Sequence, residues 1–439
     1  MLKWSRWSER ASLEERDVKR NLLRRCARAS GKHAEVRSSE KAVRAYQSLG
    51  WKGPFLMNPN WVSRAHAPGE NPAYPLLKES APRSLPNQYA ELKRLIKQRG
   101  LLDQQPAYFA GKSLLTLGLL AVGLTLLLIL DNLWLQLLNA AYLAFVFVQI
   151  SLLAHDFGHR QFSFRSPWKN DWLTLILGNL LLGISRQWWI DKHNDHHGHP
   201  NQMDLDPDVD IPLLAFEEEQ ALAKRGFARF VVKYQAALIF PLSLLQTFSM
   251  LRSSIEFLAA KKAKSTLVEA LTICAHFALY FGLLFSVLEP LQALLFIAVH
   301  RGLFGTYMVS IFAPNHKAMP LLERDSKVDF LRRQVLTSRN VVAHPITDFC
   351  YGGLNYQIEH HLFPRLPRNK LREAQPIIRG FCRDHSIAYH ETSVLQSYKE
   401  ILQHLHEVGA PLRKAGKQHA GDDEFGANGV TAPPQQTDL

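Results

Sequence analysis

Cysteine is scarce in this chain of 439 residues: Cys26, Cys274, Cys350 and Cys382 are the four present. None forms a C-x-x-C pair, which excludes a disulfide framework or a cysteine-built zinc site and leaves free thiols in a reducing compartment. The His-Pro-Gly-Gly haem signature is absent, so a fused haem domain is not expected. No secretory signal peptide is visible, because the opening residues are charged and the first long apolar run starts only after Lys112. No internal repeat is apparent. Acidic residues are also outnumbered, 39 against 52 basic ones, for a formal net charge of +13. That excess does not point to a nucleic-acid partner. The basic residues crowd the first hundred positions and the polar flanks of apolar runs, as on the cytoplasmic side of a membrane protein.

Long apolar runs are what the chain does have. Ser113 to Leu130 carries no charge, and Leu133 to Ala154 follows after only Asp131-Asn132. Runs of about eighteen apolar residues are long enough to cross a bilayer. The two read as a transmembrane hairpin with both ends on the cytoplasmic, positively charged side. Leu267 to Leu288 and Leu291 to Phe312, turned at Glu289-Pro290, read as a second hairpin, with His300-Arg301 facing the bundle interior. Trp172 to Ile190 and Phe227 to Leu251 are broken by polar residues and are expected to lie in the interface or to re-enter. The expected fold is therefore an all-α integral membrane protein: four transmembrane helices in two hairpins, interfacial helices and a cytoplasmic histidine-rich cap. Three regions follow from this pattern: a basic N-terminal region (1–111), a membrane domain (112–383) and a polar C-terminal region (384–439) with a disordered tail from Ala410. Arg16 to Arg28 reads equally as a basic amphipathic helix or a solvated tail.

Three motifs lie beyond the apolar runs: His155-Asp156-Phe157-Gly158-His159, His193-Asn194-Asp195-His196-His197, and Gln357-Ile358-Glu359-His360-His361. Spacings of three and four residues bring side chains onto one helix face, so each motif can present a cluster of nitrogen ligands. Imidazole alone does not select the metal. Seven clustered histidines, with His316 a plausible eighth, exceed what one tetrahedral zinc can use, so a two-metal centre follows more naturally. Asp156, Asp195 and Glu359 are candidates to accept the outer N–H of neighbouring imidazoles. Asp204 to Asp210 alternates carboxylates but lacks the glycine and terminal glutamate of a calcium loop; it reads as a bend or a supporting segment behind the second motif. His199, His300 and His344 are taken as structural.

The three motifs resemble the histidine boxes of membrane fatty acid desaturases. The stretch Gly353 to Pro364 is similar to the acyl-CoA and front-end branch, in which glutamine replaces the first histidine of the third box. Ala313-Pro314-Asn315-His316 and Thr337-Ser338-Arg339-Asn340 strengthen the likeness, which covers about Lys112 to Arg383. The resemblance implies two non-haem iron ions held by His155, His159, His193, His196, His197, His316, His360 and His361, with Gln357 a site residue but no assured ligand. It implies O2 as co-substrate and a long-chain acyl substrate, acyl-CoA or lipid-linked. It also implies a separate electron donor such as ferredoxin or cytochrome b5 with its reductase. The expected reaction is formation of a cis double bond in the acyl chain. A hydroxylase or ketolase and a sphingolipid desaturase share this chemistry. A membrane metal transporter or storage protein is the alternative from a different class.

Overall fold

The computed structural model describes residues 88–260 and 264–414, all within one compact unit, Ala73–Leu439. The expectations for Arg16 to Arg28 and for residues 415–439 fall outside the described residues. Among the described residues, four helices are long and apolar enough to cross a membrane. α1 (Gln88–Gln98) precedes them. α2 (Pro106–Ile129) and α3 (Leu133–Gly158) are the first pair. At 1.5 Å per residue each exceeds the roughly 30 Å of a hydrocarbon core.

The turn between α2 and α3 is set by Asn132, whose side chain accepts from the backbone N–H of Trp134 and Leu135 and caps α3. Polar side chains of α3 then reach back to α2. Gln136 donates to the Leu127 carbonyl at 2.9 Å and Asn139 to the Gly123 carbonyl at 3.0 Å. Gly123 permits the approach: a Cβ there would stand 2.4 Å from a Leu143 methyl.

The region from Trp172 to Ile190, expected to be one interfacial segment, is three pieces. α4 (Pro167–Thr174) runs into a π-helical stretch (Leu175–Leu182), and α5 (Arg186–Gly198) follows. Gly183, at φ 79, ends the π-helix in the left-handed region. Asn179 accepts from the Arg186 N–H and Ser185 from the Trp188 N–H, which starts α5 in a new direction.

Phe227 to Leu251 is likewise divided. After α6 (Glu218–Ala223) come α7 (Gly226–Lys233), α8 (Gln235–Ser243) and α9 (Gln246–Ala260). α8 and α9 meet at 70°, a broken span or a re-entrant loop.

α10 (Lys264–Val287) and α11 (Pro290–His316) form the second apolar pair. Leu284 and Leu288 share a core with Ala293 and Phe296 of α11 and with Leu127, Ala140 and Leu143 of the first pair. His300 and Arg301 are buried inside this bundle. The Tyr280 hydroxyl lies 2.7 Å from His300 Nδ1, while Arg301 binds the Leu182 carbonyl and lies 2.8 Å from His276 Nε2. Both hold helices together, consistent with a structural role for His300.

The polar end is capped by α12 (Phe330–Leu336), α13 (Pro345–Cys350), α14 (Gln357–Leu362), α15 (Leu371–Asp384) and α16 (Val394–Val408). Leu92 and Ile96 of α1 pack with Leu331, Ile358, Leu362 and Ile378 of this cap. A two-residue parallel pair, β1 (Asn340–Val341) with β2 (Glu391–Thr392), ties the residues after α15 to the cap. Ile401 and Leu405 of α16 pack on Ile239 and Ala313. The expected disorder from Ala410 starts too early: the chain is helical through residue 414, because Leu412 is buried with Ala215, Val232 and Val408.

Candidate metal centre

Four helix ends converge at the polar margin of the apolar bundle. His155 sits in the last turn of α3 and His159 at its C-cap. His193, His196 and His197 share one face of α5, at intervals of three and four residues. His316 is the last residue of α11, and His360 and His361 lie on α14. These eight histidines assemble into two groups whose ligand atoms lie within 4.8 Å of one another: His155, His159, His193, His197 and His360 in one, His196, His316 and His361 in the other. The rings of His197 and His361 stack at 4.3 Å and join the two.

Within the first group the Nε2 atoms face one another. His159 stands 2.9 Å from His193, His193 3.0 Å from His197, and His197 3.1 Å from His360. In the second group, His196 and His316 are 3.3 Å apart. Burial pushes His159 down to about 3, and burial together with the neighbouring imidazoles holds His193, His197, His360 and His361 well below the usual range. The rings are thus neutral at physiological pH. A neutral imidazole has one N–H, so the Nε2 atoms cannot satisfy one another where the outer nitrogen already donates. Two ligands at right angles on a metal, with bonds of about 2.1 Å, stand about 3.0 Å apart. The donor set therefore fits two bound metal ions. His155 supports this reading, with both ring nitrogens buried and without a hydrogen bond, as does His361 Nε2.

The outer nitrogens of the three-histidine group are held by a specific set of acceptors. Both oxygens of buried Asp206 lie 3.0 Å from His196 Nδ1. Burial works to raise the Asp206 carboxyl, but the His196 ring and its hydrogen bond bring it below its ordinary range. Gln334 accepts from His361 Nδ1 at 2.9 Å and donates to the His197 carbonyl. The Thr337 carbonyl accepts from His316 Nδ1 at 3.1 Å. The segment Asp204 to Asp210 does support the second motif, through Asp206, whereas Gln334 carries no signal in the sequence that links it to the site, and Thr337, though part of a stretch that strengthens the family likeness, acts through a backbone carbonyl.

Two expected acceptors are placed differently. Glu359 is buried but binds Asn340 and Tyr389, at 2.7 Å each, rather than an imidazole. Asp195 is exposed. Asp156 does lie beside His155, 3.5 Å from Nδ1, although its stronger partner is Arg368 at 2.7 Å. Gln357 accepts from Asn315 at 2.9 Å, and its amide nitrogen stands 2.9 Å from His316 Nε2. His199 closes α5 and His344 caps α13, outside both groups.

A profile described as fatty acid desaturase matches residues 132–393, a stretch that contains all eight histidines and Gln357. The chain belongs to the membrane fatty acid desaturase family. Among its relatives is a Delta(6)-fatty-acid desaturase of Caenorhabditis elegans, 30% identical over 340 residues, which are 74% of this chain and 75% of that protein. An acyl-lipid (9-3)-desaturase of Physcomitrium patens is 29% identical over 342 residues, 76% of this chain but 64% of the moss protein. A Delta(8)-fatty-acid desaturase of Euglena gracilis is 29% identical over 372 residues, 81% of this chain and 85% of the relative. As a desaturase-family member with four apolar helices, the chain is a membrane protein.

Proposed function

We propose that this desaturase-family chain is an oxygen-dependent front-end fatty acyl desaturase that introduces a cis double bond into a long acyl chain. The observation that carries the reading is the pairing of a five-histidine group with a three-histidine group beside an apolar bundle. His155, His159, His193, His197 and His360 would hold one iron, and His196, His316 and His361 the other. When bound, such a pair activates O2 for removal of hydrogen from an unactivated methylene, a step for which no side chain has the reactivity.

The chain's own residues do the rest. Asp206, Gln334 and the Thr337 carbonyl keep protons on the outer nitrogens of His196, His361 and His316, so that the inner lone pairs stay free. Gln357 stands at the inner nitrogen of His316 with its own oxygen taken by Asn315, so it borders the metal position without offering its oxygen as a ligand. The apolar helices exclude water from the reacting methylenes and hold them in place. Residues 112–383 form the reacting body, spanning the membrane in multiple passes with the centre on the cytoplasmic side. Electrons come from a separate donor, a ferredoxin or a cytochrome b5 with its reductase.

The test is the fatty acid profile of a host with and without the protein, read by mass spectrometry. A product two hydrogens lighter than its precursor supports desaturation. A product one oxygen heavier identifies a hydroxylase, and an unchanged profile with iron-loaded, membrane-inserted protein sinks the proposal.

A further inference from the structure

One face of α3 carries polar groups besides the histidines, and of these only Asp156 borders the metal centre. Gln149, Leu152 and Asp156 follow at spacings of three and four residues and so line one side of the helix. Gln149 is fully buried; its oxygen accepts from Lys112 Nζ at 3.5 Å and its amide donates to the Tyr307 hydroxyl at 3.4 Å. Both contacts are at the outer limit of hydrogen bonding, so the Gln149 amide is weakly satisfied. Lys112 lies inside the apolar helix α2, and its ammonium finds an amide and the face of Phe349, at 4.3 Å, rather than a carboxylate.

Against the Asp156 end of this face lies Arg368 of the cap, only 6% exposed. One of its nitrogens, Nη2, serves both Asp156 at 2.7 Å and the Leu152 carbonyl at 2.6 Å, while Nε and Nη1 have no hydrogen-bond partner. The charges of Arg368 and Asp156 both act on Lys112. Two cations against one carboxylate leave a positive excess and unused donors, and unmade hydrogen bonds in a buried place are costly. The outer edge of this region is apolar, with Leu114, Leu115 and Ile346 exposed where lipid would lie. A ligand suited to it enters from an apolar medium, brings acceptor oxygen and carries no donor.

An acyl ester or thioester has that chemistry. We infer that Lys112, Gln149 and Arg368 receive the carbonyl end of the acyl substrate, and so fix the position of the double bond by its distance from the carbonyl. Gln149 precedes His155 by six residues on α3, about 9 Å along the axis and roughly seven methylenes of an extended chain. The inference rests on the desaturase reading, because it assigns that reaction its measuring point.

The test compares matched probes bound to wild-type protein, Lys112→Met and Lys112→Arg. One pair is a phosphatidylcholine with an ester-linked octadecanoyl chain and its ether-linked counterpart; the other is octadecanoyl-coenzyme A and its thioether. Binding does not require iron. Wild-type protein should prefer the carbonyl form of at least one pair by about tenfold, the loss expected for a hydrogen bond to a charged donor. Lys112→Met should lose the preference and Lys112→Arg keep it. With iron and donor present, Lys112→Met should place double bonds at more than one position. Preference in the phospholipid pair alone assigns a lipid ester, and in the coenzyme A pair alone a thioester. Equal binding of carbonyl and ether forms by wild-type protein overturns the inference, even if desaturation is confirmed. So does a Lys112→Met protein that retains both the preference and a single position. A carbonyl preference in a protein that forms no double bond upholds this site and overturns the proposed reaction instead.

Discussion

Gln357 Nε2 stands 2.9 Å from Nε2 of His316, while the Gln357 oxygen is engaged by Asn315. The residue that departs from a histidine in the third motif is thus turned toward His316, with its oxygen already accepting from Asn315. Gln357→Ala should retain both metal ions but lower turnover by about 10–100-fold, the usual effect of removing a group that orients a ligand. His316→Ala should lose metal from the three-histidine group. Metal analysis alongside turnover separates the two; loss of metal in Gln357→Ala would make the glutamine a ligand.

Asp206 is the anchor of His196, and it also accepts from the backbone N–H of Asn201 and Asp208. Asp206→Ala should weaken metal binding at the three-histidine group by about 10–100-fold. It should also lower stability by about 1–3 kcal/mol per donor left unpaired. Asp208→Ala removes a more exposed carboxylate that pairs with Lys192 and lies 3.5 Å from His196 Nδ1, and it should weaken metal binding less than Asp206→Ala does. Competition against a chelator measures the first effect and denaturant unfolding the second.

Trp189 stacks on His193 at 4.4 Å between ring centroids. Gly158 allows it, since a Cβ at that position would meet the indole at 2.3 Å. Gly158→Ala should displace Trp189 and, through His193, loosen metal in the five-histidine group selectively. Two metals retained with wild-type affinity would show that the indole does not position the ligand.

Acid should destabilise the metal-free protein. His159 is held at about 3, below its ordinary value of about 6.5 in an unfolded chain. The unfolded state therefore binds more protons between these values, and the stability this histidine contributes is fully present above about pH 6.5 and is lost as pH falls. Each such histidine contributes about 1.4 kcal/mol per pH unit in that window. Thermal unfolding of chelator-stripped protein should show a lower midpoint at pH 5.5 than at pH 7.5, and a pH-independent midpoint would contradict the neutral, buried assignment.

Much of this architecture is legible in the sequence because its signals are local. Apolar runs of bilayer length announce α2, α3, α10 and α11, and spacings of three and four residues announce the histidine faces. What escapes depends on tertiary meetings. Nothing local selects Asp206 over its alternating neighbours as the partner of His196, ten residues away, or brings Gln334 to His361. Glu359 has the right neighbour in sequence, yet its side chain leaves the helix toward Tyr389. The division of Phe227 to Leu251 at a 70° bend is set by packing against α11, where a Cβ on Gly305 would stand 2.7 Å from the Ser243 carbonyl. Lys112 reads as the boundary of an apolar run until the structure shows it turned toward Gln149 and Phe349.

The two histidine groups make metal stoichiometry the most direct measurement. Protein purified from iron-supplemented cells should contain two irons per chain, falling to about one in His316→Ala and in His155→Ala alike, with the protein still inserted in the membrane. One metal per chain in the wild type, or tightly held zinc with no iron, would contradict the two-iron centre on which the account depends.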